Sequence, residues 1–238
     1  MPTPLAIIFP IMIPLVLGTI TGIVATNQLN EAPPPPPRIR ELPQSGLTSY
    51  TIRPQYRLNN KLLNVFNRAG ERVFRIIRHN GGDSEQGVIF SIMGPVSSRP
   101  IVTVRINGLK SEILFHAQDD KLHSLGLVSI RHVVAGVGHY RMFILPDGNT
   151  YQWTGSTRHL ERVFDKGGTM NTEIRERIAC ARRIGTRIWE LKFDEQRICG
   201  EIVVATALVS ILDQWNTIFG VGGIFMKSEK NLTVKFKE

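Results

Sequence analysis

Cysteine is scarce in this chain: Cys180 and Cys199 are the whole complement in 238 residues. They form neither a metal-ligand spacing nor a secreted disulfide framework, and their apolar neighbours mark both as buried free thiols. A core built from a chain of this length needs no disulfides. Acidic residues are the second shortage. Before Ala32 the only charged side chain is Glu31; the rest carries 29 basic against 19 acidic residues, a net charge of +10. That excess favours an anionic partner, a membrane surface or nucleic acid, while a merely soluble basic surface is the plainer alternative. Enzyme signatures are missing too. There is no GxGxxG after a strand, no P-loop, no HExxH and no GxSxG. The nearest approach, "GDSEQG" around Ser84, lacks a glycine at the required spacing and reads as a polar hairpin loop.

Histidine offers no metal site on spacing. His79, His116, His123, His132, His139 and His159 are scattered, and no two stand at the i, i+4 spacing of a helical zinc site. The acidic pairs Asp119-Asp120 and Asp194-Glu195 fall in turn-like stretches, where such residues are expected anyway. The chain is therefore read with no catalytic residue, no metal and no cofactor.

What is present begins with Pro4 to Ala25, 22 residues without a charge. As a helix they would span about 33 Å, the thickness of a bilayer core. Gly18 and Gly22 form a GxxxG pair that lets helices approach closely. A signal peptide is the rival, but "MPTP" is not a basic n-region and the apolar stretch is long for one. Arg38 and Arg40 come after the span, so the positive-inside rule puts the larger part of the chain in the cytoplasm. Cleavage at Ala25 and secretion is the alternative. Residues 1–26 are thus assigned as a single-pass anchor and 27–48 as a proline-rich linker. Pro33 to Pro37 form a stiff polyproline II spacer of about 3 Å per residue, or a ligand for a proline-motif-binding protein.

From about Tyr50 the pattern is β. Short Val-, Ile-, Phe- and Thr-rich runs alternate with turns: "LLNVF", "RVFRII", "RPIVTVRI", "LKSEILF", "HYRMFIL", "RHLERVF", "TEIRERIACA" and "TRIWELKF". Asn107-Gly108 and Pro146-Asp147-Gly148 mark tight hairpins. After the second of these, Tyr151 and Trp153 share one strand face and Gln152 takes the other. Roughly ten strands so connected argue for an antiparallel sandwich or barrel. One segment differs: Cys199 to Gly220 reads as a helix. Its apolar run, Ile202 to Leu212, is too short for a second span and is apolar on every side, so something must surround it. A reentrant membrane segment is the rival.

Phe143, Asp147-Gly148, Tyr151 and Trp153, the arginine-containing strand after them and the closing "GEIVVATALVSIL" resemble a fungal tubby C-terminal-like domain family of unknown function. That family is similar in outline to LURP-one and phospholipid scramblase domains. The resemblance covers roughly residues 50–219. It implies a mainly β fold, a closed antiparallel barrel of about twelve strands around a hydrophobic C-terminal helix. On this reading the barrel takes residues 49–220, with its helix at 200–218, and 221–238 form a tail. It also implies that Tyr151 and Trp153 pack rather than bind. It brings no established activity, and the lipid-binding residues of tubby relatives do not map onto this chain position by position.

Candidate binding residues come from the chain itself. Strand alternation in "TEIRERIACARR" puts Arg175, Arg177, Ala179, Ala181 and Arg183 on one face, with successive members about 6.8 Å apart. Guanidinium groups at that spacing reach separate phosphates, and Lys166 lies in the turn before them. Lys166, Arg175, Arg177 and Arg183 are the expected headgroup contacts; a solvated barrel exterior is the plainer alternative. The expected function is a membrane-anchored, non-enzymatic barrel that binds anionic phospholipid headgroups. The alternatives are a scramblase-like lipid-handling protein and a protein-binding adaptor; nucleic acid is not an expected partner. Asn231-Leu232-Thr233 matches a glycosylation acceptor, relevant only to a lumenal C-terminus.

Overall fold

Asp147 shows how this chain turns. Its Oδ1 accepts the Asn149 backbone N–H at 2.9 Å and its Oδ2 accepts the Tyr151 hydroxyl at 2.5 Å. Gly148 takes φ +78°, and its N–H donates to the Leu145 carbonyl. The turn residues thus close the hairpin themselves. In the computed structural model, residues 38–56, 59–79, 87–107, 110–116, 125–135, 138–165 and 173–215 are described. Residues 1–37, which include the expected anchor and the proline run, and Ser84, His123, Lys166 and residues 216–238 lie outside the described residues.

The strands are β1 (Arg38–Arg40), β2 (Thr48–Tyr56), β3 (Asn59–Asn67), β4 (Arg72–His79), β5 (Val88–Met93), β6 (Pro100–Ile106), β7 (Lys110–Phe115), β8 (Leu127–Ala135), β9 (Gly138–Ile144), β10 (Thr150–Thr154), β11 (His159–Asp165), β12 (Ile174–Gly185) and β13 (Ile188–Phe193). From β2 to β12 each strand pairs antiparallel with the next. β13 then pairs with both β2 and β12, which closes a twelve-stranded barrel. Strands β1, β2, β5 and β8 come in addition to the runs legible in the sequence. β1 is parallel to β12, Arg38 opposite Ile174 and Arg40 opposite Glu176. β13 pairs with β12 only from Ala179 onward, so β1 takes the edge that β13 leaves.

Inside the barrel, alternate residues form one core. Leu63 and Val65, Phe74 and Ile76, Phe90 and Ile92, Val102 and Val104 are all buried. Along the axis runs α1 (Gly200–Val209), continued by a π-helical turn, Ser210–Gln214, in which Trp215 N–H donates to the Ser210 carbonyl. Every residue from Ile202 to Leu212 is buried. The helix touches β6 and β7 and, across the ring, β13, and Trp153 of β10 donates its indole N–H to Thr206 Oγ1 at 3.0 Å. A helix with apolar residues on every side is satisfied here because strands enclose it. Gly200 gives it room to enter: a Cβ there would lie 2.7 Å from a Tyr50 ring carbon. The expected helix of residues 200–218 is described only to Trp215. No helix among the described residues is long and apolar enough to cross a membrane.

Tyr151 and Trp153 are fully in the core, as packing residues. Cys180 and Cys199 are free thiols but only partly buried; burial still pushes the Cys199 thiol up to about 11.

The Asp147 carboxyl is held below its ordinary range. Burial works to raise it, but hydrogen bonds from Asn149 and Tyr151 and the nearby Arg162 charge outweigh that. A lowered folded-state value means its contribution is present above the unfolded pKa and is lost as pH falls through the folded one. Asp147→Asn is therefore expected to cost about 1 kcal/mol at neutral pH, moderated by solvent exposure. Urea unfolding across pH would show that deficit shrinking toward zero below the ordinary carboxylate range. A deficit that stays constant with pH contradicts the assignment.

Candidate functional site, a divided arginine strand

β12 carries Arg175, Arg177, Arg182 and Arg183 on one twelve-residue strand. Its alternation is not continuous. Leu160 of β11 pairs with Ala179, but the next residue, Glu161, pairs with Arg177, so Ile178 is an extra residue on β12. A bulge of this kind re-aims the side chains beyond it. Ile178 and Ala179 are consecutive and both 0% exposed. Arg175 and Arg177 stand on the outer wall with Glu161, whereas Ala179 and Ala181 face the lumen opposite Phe193 and Leu191. The single row expected from the sequence is thus split in two.

The half toward Ile174 is an ion-pair network. Glu161 is 2% exposed, and Gln152 donates to its Oε2 at 3.0 Å. Arg175 Nη1 lies 3.4 Å from Oε2 and Arg177 Nε 3.5 Å from Oε1. Arg175 also donates to Glu173, and Arg177 Nη1 reaches Glu41 at 2.6 Å. Beside them is a groove of about 360 Å³, which Ile39, Tyr140, Thr157 and Glu161 help to line. The guanidinium groups of Arg175 and Arg177 are thus both committed to carboxylates. Arg177 fastens Glu41, just after β1, to the barrel wall, and Arg175 ties Glu173 to Glu161.

Other carboxylates are committed in the same way. Glu176, on the inward side of β12, is held between Arg162 at 2.6 Å and Arg197. Asp213, from the π-turn, pairs with Arg141 of β9, which ties the end of the helix to the wall. Burial pushes the Asp213 carboxyl up, with Arg141 and His132 opposing. His132 and His139 stack at 5.6 Å. No group of histidine, cysteine and carboxylate side chains among the described residues is arranged to hold a metal.

The half of β12 toward Gly185 is different. Arg182 and Arg183 are exposed, and the facing carboxylate is Glu190, opposite Arg182 and 3.5 Å from Lys192. Arg183 is opposite Trp189 and donates to the Gly185 carbonyl. Next to it opens a second groove, of about 560 Å³, lined by Arg53, Pro54, Gln55, Thr186, Arg187 and Ile188. Compared with protein-family models, curated proteins and solved structures, the chain matches none of them. Function therefore rests on this geometry. Of the four expected contacts, Arg183 belongs to the basic half, Arg175 and Arg177 to the compensated half, and Lys166 lies outside the described residues. Arg53 was missed because it comes near Arg183 only through the β2–β13–β12 pairing, and Arg187 because it lies in the turn, off the strand alternation that picked out Arg183.

Proposed function

We propose that this is a non-enzymatic barrel, held at a membrane by residues 4–25, that recognises anionic phospholipid headgroups. The observation that carries it is the charge division of β12. Acidic partners hold Arg175 and Arg177, while Arg182 and Arg183 are exposed, with Glu190 opposite Arg182. Each such basic residue near an anionic surface contributes about 1 kcal/mol. Lys166 stays in the proposal as a further headgroup contact; Arg175 and Arg177 act in it as scaffold. The tubby-like identity is part of the proposal and rests on Asp147-Gly148, Tyr151, Trp153 and the closing helix. Headgroup binding is favoured over lipid transfer because α1 fills the lumen that an acyl chain would need.

Titrating the detergent-solubilised full-length chain with water-soluble short-chain phosphatidylserine tests this, with tryptophan fluorescence as the readout. Saturable binding that weakens several-fold between about 0.1 and 0.5 M salt is expected, with none for the phosphatidylcholine equivalent. Arg183→Glu should weaken it further. Equal responses to the two lipids, or none to either, reject the headgroup role.

A further inference from the structure

Two non-glycine residues among those described adopt positive φ, Arg158 at 55° and Arg187 at 65°. This conformation costs an L-residue of order 1 kcal/mol and glycine almost nothing. Arg158 closes the β10–β11 turn and Arg187 the β12–β13 turn, so the topology brings both to the same end of the barrel. Arg158 sets its guanidinium 5.3 Å above the Trp189 ring, and Arg183 is opposite Trp189 on β12. Two arginines at glycine-favouring positions, beside a third, point to a use for the side chains.

The same turn displays an apolar residue. Arg183 pairs with Trp189 but Gly185 with Ile188, which leaves Ile184 as an extra residue of β12. This second bulge turns Ile184 outward, 50% exposed, between Arg183 and the turn. Arg53 of β2 flanks the groove on the other side, its guanidinium 4.0 Å over the Phe66 ring. An exposed isoleucine next to Arg183 and one turn from Arg187 fits a surface that is apolar inside and anionic at its face.

We infer that the β12–β13 turn is the membrane-docking tip of the barrel. Ile184 enters the acyl boundary while Arg53, Arg158, Arg183 and Arg187 engage the phosphates of an anionic leaflet. The inference rests on the headgroup reading above and assigns it a place and a depth. Glu190, the carboxylate opposite Arg182, is already shared with Lys192 and Ser49.

The test uses the full-length chain with Ile184→Cys, labelled with an environment-sensitive fluorophore, in nanodiscs of phosphatidylcholine with or without phosphatidylserine. The label signal of the unsubstituted chain, from Cys180 and Cys199, is subtracted. A blue shift and quenching by a lipid-borne quencher are expected only when phosphatidylserine is present. Val96→Cys, on a 94% exposed turn at the opposite end, should stay in water with both compositions. Adding Arg183→Gln and Arg187→Gly should raise the phosphatidylserine fraction for half-maximal response by roughly tenfold or more. Glycine suits the backbone at position 187, so that pair keeps the fold. A response at position 184 that ignores lipid charge, or one equal at position 96, overturns the inference. A chain that leaves the discs of both compositions overturns the anchor instead, and the same label then reads the tip on added vesicles.

Discussion

Truncating Leu208 to alanine lowers the unfolding free energy by about 2–5 kcal/mol, the cost of a buried cavity in a core that cannot collapse around it. Leu208 lies near the C-terminal end of α1, just before the π-helical turn, and is 0% exposed. Its surroundings are strands fixed by ladder hydrogen bonds all the way round a closed sheet, which leaves little freedom to relax. The control is Leu114→Ala on the outer wall, 41% exposed, expected to cost less than about 0.5 kcal/mol. Urea unfolding of both variants, with unchanged slope, measures the difference. Equal costs would mean that α1 is not enclosed, and the barrel reading would fail with it.

The second large effect concerns Glu161. Glu161→Ala removes the acceptor that Gln152, Arg175 and Arg177 share on the outer wall. Breaking a buried charge pair from one side costs about 3–5 kcal/mol. The two arginines are 18% and 17% exposed and keep Glu173 and Glu41 as partners, so about 2–3 kcal/mol is expected. Glu161→Gln keeps a carbonyl for Gln152 and should cost less than alanine. Chemical denaturation of the pair decides it. A loss below about 0.5 kcal/mol for alanine would mean that solvent screens the network as it screens surface pairs. Because Arg177 also holds Glu41, the alanine variant should loosen β1 and the residue after it, seen as faster amide exchange at residues 38–41.

These two sites mark how far local pattern carries. Asp147-Gly148 is legible because a turn closes within five residues, and the side chains that close it are the ones named in the sequence. The helix is legible because an apolar residue on every side has to be buried by something, whatever the topology. Ion-pair partners obey no such rule. Arg177 and Glu41 are 136 residues apart, and nothing near either one announces the other. The two bulges, at Ile178 and Ile184, are equally silent in the residues around them, yet each shifts the alternation of β12.

Composition, turn chemistry and hydrophobic period alone established a mainly β chain, its hairpins and a helix that must be enclosed, since those depend on neighbours within a few residues. Ring closure by β13, the parallel seat of β1 and the sorting of β12 arginines into compensated and exposed belong to the folded barrel. They are settled by strands far apart in the sequence and by bulges in the pairing, and neither leaves a local trace.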